Sequence, residues 1–149
     1  MNYGLVPLAG GFLKPEDIHK DKVYPMNLVL CSSCGLLQTD SSVSEDELFK
    51  DYRYLSSISL SKHFESMAKW MVDKFVLTEK SKVLEIGSND GVLLSPLKNL
   101  NIPSIGIDPA ENVAMVALKK GLDVKIDYFN KNSAQKYFKD KEYDLVVEN

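Results

Sequence analysis

The sequence predicts an α/β protein: a partial parallel sheet with helical crossovers, preceded by a small β segment. Three observations carry that prediction. Residues 83–91 read Val-Leu-Glu-Ile-Gly-Ser-Asn-Asp-Gly and run on into Val92-Leu93-Leu94, the pattern of a buried strand, a tight turn and a helix start. From there onward strand-like and helix-like stretches alternate, which means parallel strands joined by right-handed crossovers. Residues 1–45 differ in character: Gly4, Pro7, Gly10, Gly11, Pro15 and Pro25 punctuate short apolar runs around a Cys-x-x-Cys. A boundary between units is expected near residue 45, giving segments 1–45 and 46–149.

Bulk properties narrow the class. A chain of 149 residues can bury a real core. Its 44% hydrophobic and 26% charged residues are ordinary for a globular protein. The net charge is −3 with no basic stripe, which argues against a nucleic-acid partner. No apolar run approaches membrane-spanning length, and Met1-Asn2-Tyr3-Gly4 lacks the basic start and apolar core of a signal peptide. Two cysteines at Cys-x-x-Cys spacing without an export signal point to a reduced, cytoplasmic setting.

In chain order, residues 23–30 form a strand leading into Cys31-Ser32-Ser33-Cys34-Gly35, followed by a second short strand. Strand, Cys-x-x-Cys-Gly and strand is the shape of a zinc knuckle, in which the glycine lets backbone amides point at the thiolates. Cys31 and Cys34 supply half of a four-ligand set. His19 is the other nearby candidate, although a lone His in a charged loop is more commonly just solvated. A thioredoxin-like redox role is disfavoured, since no helix pattern follows Cys34. Residues 40–45 read as a linker or helix start, and Ser44-Glu45-Asp46-Glu47 as an acidic first helical turn. The stretch 52–59, Tyr-Arg-Tyr-Leu-Ser-Ser-Ile-Ser, has no amphipathic period. It is either a surface loop or a flap over a ligand site.

A helix is expected from Leu60, because Leu60, Phe64, Met67, Ala68, Met71, Val72 and Phe75 make an apolar stripe. His63 lies beside that stripe and Trp70 off it. Then follow strand 82–86, helix 92–100, strand 104–107, helix 111–120 closed by Gly121, strand 123–126, helix 131–138 and strand 143–147. Ligands of such sheets sit beyond the carboxyl ends of the strands, where strand order reverses. There stand Gly87, Ser88, Asn89 and Gly91 in the first turn, and Asp108 and Pro109 after the second strand. Tyr128 and Phe129 are placed to border an adenine, and Glu148 and Asn149 to face the reacting end.

The turn is expected to aim free backbone N–H groups at its ligand. Gly87 admits a close approach, Asn89 tolerates a left-handed backbone, and Gly91 lets the helix pack on the strand. Asp108, about 20 residues after Gly87, is placed to accept both ribose hydroxyls. It also suits a helix N-cap with Pro109 at the first helical position. A dinucleotide fingerprint wants Gly-x-Gly-x-x-Gly, whereas here Glu85-x-Gly87-x-Asn89-Asp90-Gly91 surrounds the turn with acids. These repel a pyrophosphate and suit a cationic ligand end. S-adenosylmethionine, with its sulfonium and ammonium, is favoured over NAD, which stays open as an alternative. A non-catalytic donor- or metal-binding module is the other alternative.

Residues across nearly the whole chain carry a family resemblance. They include Pro7-Leu8-Ala9, Phe12-Leu13, Tyr24-Pro25-Met26-Asn27-Leu28, Cys31-x-x-Cys34-Gly35-Leu36, and Leu48-Phe49. Asp51-Tyr52-x-Tyr54-x-Ser56-Ser57-x-Ser59, His63-Phe64 and the run Val83 to Gly91 belong with them. So do Gly106-Ile107-Asp108-Pro109-Ala110-x-Asn112-Val113-Ala114, Asp127-x-Phe129 and Asp144-Leu145-Val146-Val147. In this order they resemble the zinc-containing, S-adenosylmethionine-dependent C-methyltransferases of nucleotide-linked deoxysugars. The resemblance implies a Rossmann-like class I methyltransferase sheet behind an incomplete zinc-ribbon-like segment. It implies C-methylation beside the keto group of a TDP-4-keto sugar, through proton removal and attack of the enolate on the methyl group. Tyr52 and Tyr54 would lie by the sugar or donor and His63 near the donor. Glu85, Gly87, Asn89, Gly91 and Asp108 would hold the donor. Family members carry an earlier Cys-x-x-Cys completing the zinc site, and a second lobe that binds the sugar nucleotide and supplies the base. Glu148 stands where they have a small residue or Asn. The chain therefore reads as an internal fragment, and its last strand as a bare edge. A marginal fold, melting below about 65 °C, is expected.

Overall fold

The computed structural model describes residues 1–9, 13–49, 52, 54–139 and 142–148. Gly10, Gly11, Phe12, Asp51, Arg53 and Asn149 lie outside the described residues, so the expectations attached to them have no structural counterpart. The chain divides into two compact units, Met1–Leu48 and Phe49–Asn149.

In the first unit, β1 (Asn2–Pro7), β2 (Val23–Leu30) and β3 (Leu37–Thr39) form an antiparallel sheet in that order. Val6 pairs with Tyr24, and Val29 with Gln38. A 3-10 turn, Pro15–Lys20, fills the β1–β2 connection and holds His19 exposed. The short helix α1 (Glu45–Phe49) follows, with its acids in the first turn. No described residue of Met1–Leu48 is buried, so this sheet has no hydrophobic core of its own to hold it.

The second unit opens with α2 (Ser56–Phe75). It starts four residues before the expected Leu60, so Ser56 to Ser59 form its first turn and are not a flap. The stripe is the predicted one from Leu60 to Val72, and Phe75, expected to close it, is exposed. Phe64, Ala68 and Met71 are buried against Val83, Leu93, Leu97 and Ile102, with Leu60, Met67 and Val72 packed at the border. Phe75 and Trp70 are exposed, ring edge to face at 5.9 Å. Then come β4 (Val83–Ile86), α3 (Leu94–Asn99), β5 (Ser104–Asp108), α4 (Glu111–Lys119), β6 (Val124–Ile126), α5 (Lys131–Phe138) and β7 (Leu145–Glu148). Asn130 caps α5 with a reciprocal box: its side chain accepts from the Asn132 and Ser133 amides, and Ser133 Oγ accepts from the Asn130 amide.

The four strands are parallel in the order β6-β5-β4-β7. The chain winds outward from β4 through β5 to β6, then returns to lay β7 on the other side of β4. Strand order thus reverses at β4, and the carboxyl end of β4 is the crevice where ligands of such sheets bind. Val83, Leu84 and Ile107 are buried between the helix layers, as parallel strands covered on both faces require.

Candidate functional site

The loop after β4 is built from left-handed residues: Gly87, Asn89 and Gly91 have φ of 73°, 48° and 76°. Each conformation strains a residue with a Cβ, and Asn tolerates it best after Gly. Gly87 is exposed, so a ligand can approach its backbone. Gly91 is buried, and a Cβ there would run into Leu122 Cδ1 and come within 3.2 Å of Ala117 Cβ. Its close contact is therefore with the end of α4, not with the strand as the sequence suggested.

The loop amides are all engaged inside the protein. Gly87 and Ser88 donate to the Ile107 carbonyl at 2.9 and 3.3 Å, and Gly91 donates to the Ser88 carbonyl at 2.9 Å. Asn89 donates to Asp108 Oδ2 at 2.7 Å, and Asp90 to Asn89 Oδ1 at 2.8 Å. The expectation of free N–H groups aimed at a ligand is corrected: β5 and the loop itself take them. A pyrophosphate finds no amide cradle here.

Three carboxylates are buried around this loop: Glu85, Asp90 and Asp108 are 2%, 0% and 7% exposed. Their surroundings differ. Asp90 Oδ1 accepts the Ser57 amide, its Oδ2 accepts the Ser57 hydroxyl, and Lys120 Nζ lies 3.4 Å from Oδ2. Asp90 is thus internally matched, contrary to its expected part in greeting a cationic ligand. Asp108 takes one amide on each oxygen, from Asn89 and from Ala110 at 2.9 Å, and each oxygen keeps a second lone pair for a hydroxyl. Burial pushes its carboxyl up, and the two amides pull it down less strongly. It does not cap α4: Ala110 stands at the cap position and Pro109, half-buried, precedes the helix.

Glu85 has no such matching. Its Oε2 is buried without a hydrogen-bond partner. Desolvation first, then the charges of Asp108 and Asp90, push its carboxyl up to about 8. Ser88 Oγ is likewise buried and unpartnered. It occupies the space over Gly106, where a Cβ would collide with it, and Gly106 is the register partner of Glu85. Two orphaned polar groups thus flank Gly106, one at the end of β4 and one in the glycine loop. A buried orphan of this kind costs free energy unless a ligand completes it.

The remaining predicted residues are placed as follows. Tyr52 and Tyr54 are exposed, and Tyr54 Oη lies 2.9 Å from Ser59 Oγ. His63 is exposed on α2 with its ring edge-on to Phe64, and no hydrogen bond ties it to the loop among the described residues. Tyr128 is half-buried just past β6, where its carbonyl accepts the Ser133 hydroxyl at 2.6 Å. Phe129 is exposed, its ring 6.3 Å from that of Phe138 and tilted 39° to it. Glu148 is exposed at the carboxyl end of β7, beside Ile86. Sequence reading singled out Ser57 only as part of a motif and passed over Lys120; neither was paired with Asp90, to which their bonds span 33 and 30 residues. A shallow cleft of about 360 Å³ between Leu94, Lys98, Ser104 and Asp123 lies at the amino ends of the strands and contains none of the predicted site residues.

In the first unit, the Cys31 amide donates to the Leu36 carbonyl and the Gly35 amide to the Cys31 carbonyl, both at 2.9 Å. Gly35 has φ 72°. The amides of Cys34 and then Ser33 hold the Cys31 thiol below its ordinary range, as a metal-binding knuckle requires. Both thiols are free. Among the described residues no cluster of three or more His, Cys, Asp or Glu could hold a metal. Cys31 and Cys34 therefore fit a zinc ion as half of its ligand set.

Comparison with known proteins adds the following. Residues 1–49 match a family described as a zinc binding domain, and residues 67–149 match the family described as methionine biosynthesis protein MetW. The C-methyltransferase NovU of Streptomyces niveus is 32% identical over 126 residues, 83% of this chain. The chain spans 30% of the length of NovU. The plantazolicin methyltransferase BpumL in complex with SAH is 19% identical with a TM-score of 0.46, covering 62% of this chain and 37% of its own. DesVI of Streptomyces venezuelae is 14% identical with a TM-score of 0.46, over 62% of this chain and 39% of DesVI. No helix among the described residues is long and apolar enough to cross a membrane.

Proposed function

This chain belongs to the MetW family, and on that premise we propose that it is the donor-binding part of an S-adenosylmethionine-dependent methyltransferase. The observation that carries this reading is Glu85: a buried carboxyl with an unpartnered oxygen beneath a glycine loop that has no free amide for a phosphate. A cationic ligand end answers both features. The 32% identity to a C-methyltransferase supports methyl transfer to carbon. Together with the Tyr52-x-Tyr54-x-Ser56-Ser57 motif it favours a nucleotide-linked 4-keto sugar as acceptor, methylated beside the keto carbon.

Bound at this loop, S-adenosylmethionine supplies an electrophilic methyl group on a sulfonium. The residues of the chain do the holding. Gly87 gives the ligand a backbone without a Cβ, and the spare lone pairs of Asp108 take the ribose hydroxyls. Tyr128 and Phe129 border the adenine. Glu85 and Ser88 complete the polar floor, and Asn89, Gly91 and Pro109 hold the loop and the turn after β5 in shape around it. Tyr52 and Tyr54 serve the sugar or the donor and His63 the donor, with Glu148 toward the reacting end. Cys31 and Cys34 hold a structural zinc whose remaining ligands come from other residues. The reduced Cys31 and Cys34 pair supports a cytoplasmic setting.

Calorimetric titration with S-adenosylmethionine and NADH tests the donor. Glu85→Ala is expected to weaken S-adenosylmethionine by about tenfold or more, the loss of a charged hydrogen bond. NADH binding more tightly than S-adenosylmethionine, or an unaltered affinity in Glu85→Ala, would overturn the reading. Transfer of labelled methyl to a TDP-4-keto sugar, assayed with the longest natural form of the protein, tests the acceptor.

A further inference from the structure

Helix α2 begins without a cap of its own. Leu55 precedes it in an extended conformation with no side-chain hydrogen bond to the first turn. The first amides of a helix need acceptors from outside it. Here the glycine loop supplies them: the Ser56 amide donates to Asn89 Oδ1 and the Ser57 amide to Asp90 Oδ1, both at 3.2 Å, and the Ser57 hydroxyl donates to Asp90 Oδ2. The carbonyls ahead of the helix are held in the same way. Asn89 Nδ2 donates to the Tyr54 carbonyl at 2.9 Å, and Asn112 Nδ2, on α4, to the Tyr52 carbonyl at 2.7 Å.

Asn89 is the pivot. Its left-handed backbone sends its amide to Asp108 and its side chain to residues 54 and 56. Any movement of the loop around a ligand is therefore felt at the start of α2, and the reverse. Asp90 is rigid in this arrangement, since Lys120 Nζ also bonds its carbonyl at 2.8 Å. We propose that Asn89 and Asp90 are positioning residues that fasten the tyrosine-bearing segment before α2 to the glycine loop, so that occupancy of the loop and order of that segment reinforce each other. The inference rests on the methyl-donor reading for the identity of the ligand, while the fastening itself stands on the hydrogen bonds alone. Its role is distinct from ligand contact: the side chains of both residues face α2.

The experiment is residue-resolved amide hydrogen exchange with a parallel titration of S-adenosylmethionine, on the parent, Asp90→Asn and Asn112→Ala. Asn112→Ala guards against a misfolded Asp90 variant, because it loosens the same segment from an exposed position. In the ligand-free parent the Ser56 and Ser57 amides are expected to exchange slowly, and saturating donor to slow them about tenfold further. Each variant is expected to lose donor affinity by the same factor by which the donor's protection of Ser56 and Ser57 falls, since coupling is reciprocal. Protection at β4 and β5 stays at the parent value, which a merely structural defect would not allow. Free exchange at Ser56 and Ser57 in the parent would overturn the fastening. Tight donor binding that leaves their exchange unchanged would overturn the coupling. Absence of donor binding with both amides still protected would instead remove the methyl-donor reading, and the coupling with it.

Discussion

Among single residues, Glu85 has the largest consequence. Its carboxyl, pushed up to about 8 by burial and by Asp108 and Asp90, holds its proton at neutral pH in the ligand-free protein. The folded state binds that proton more tightly than the unfolded chain. The stability it contributes is therefore full below the ordinary glutamate range and is lost as pH rises through about 8. Thermal melts between pH 5 and 9 should show this decline, and Glu85→Gln should flatten it. A cationic donor favours the ionised form, so donor binding should release a proton and strengthen as pH rises from 6 to 8. Calorimetry in buffers of different ionisation enthalpy measures that release, and Glu85→Gln should abolish it. Gly91→Ala is expected to destabilise by about 2–4 kcal/mol, combining a left-handed φ with a collision at Leu122; denaturant midpoints check it. The glycines, Glu85 and Asp108 could be read from the sequence because turn chemistry is local. The matching of Asp90 by Ser57 and Lys120 could not, since residues so far apart meet only in the fold.

At the level of elements, α5 and α2 show two ways to start a helix. Asn130 caps α5 from within its own stretch, and this element has the bounds the sequence predicted. Asn130→Ala should cost about 1 kcal/mol, measurable as a shift in denaturant midpoint with donor affinity retained. Helix α2 borrows its cap from residues 33 positions later. Periodicity therefore placed its start four residues late: the polar first turn carries no apolar stripe. The cysteine knuckle belongs to the first kind, written in a short motif and seen in the structure with its amides on Cys31. Because no described residue of Met1–Leu48 is buried, this unit should be cleaved by protease before the other. Zinc should slow that cleavage in the parent and leave a Cys31→Ser variant unaffected.

Among the described residues, β7 stands last in the order of the parallel sheet, with Val146 54% exposed. Such an edge favours association and limits stability. The chain is expected to melt below about 65 °C, and donor at 100 times its Kd to add about 2.7 kcal/mol. Val146→Lys should reduce concentration-dependent association, read by light scattering, without changing donor affinity. The sequence by itself determined the alternation of strand and helix, the glycine loop, the acid ending the second strand and the thiol pair. Each is a short-range pattern set by periodicity or by backbone conformation. Only the tertiary structure decided that β7 returns beside β4, that the loop amides are already taken, and that Glu85 alone among three buried acids lacks a matching group. Those facts depend on which distant residues meet. Burial gives an unmatched carboxyl its force, and burial is a property of the assembled fold.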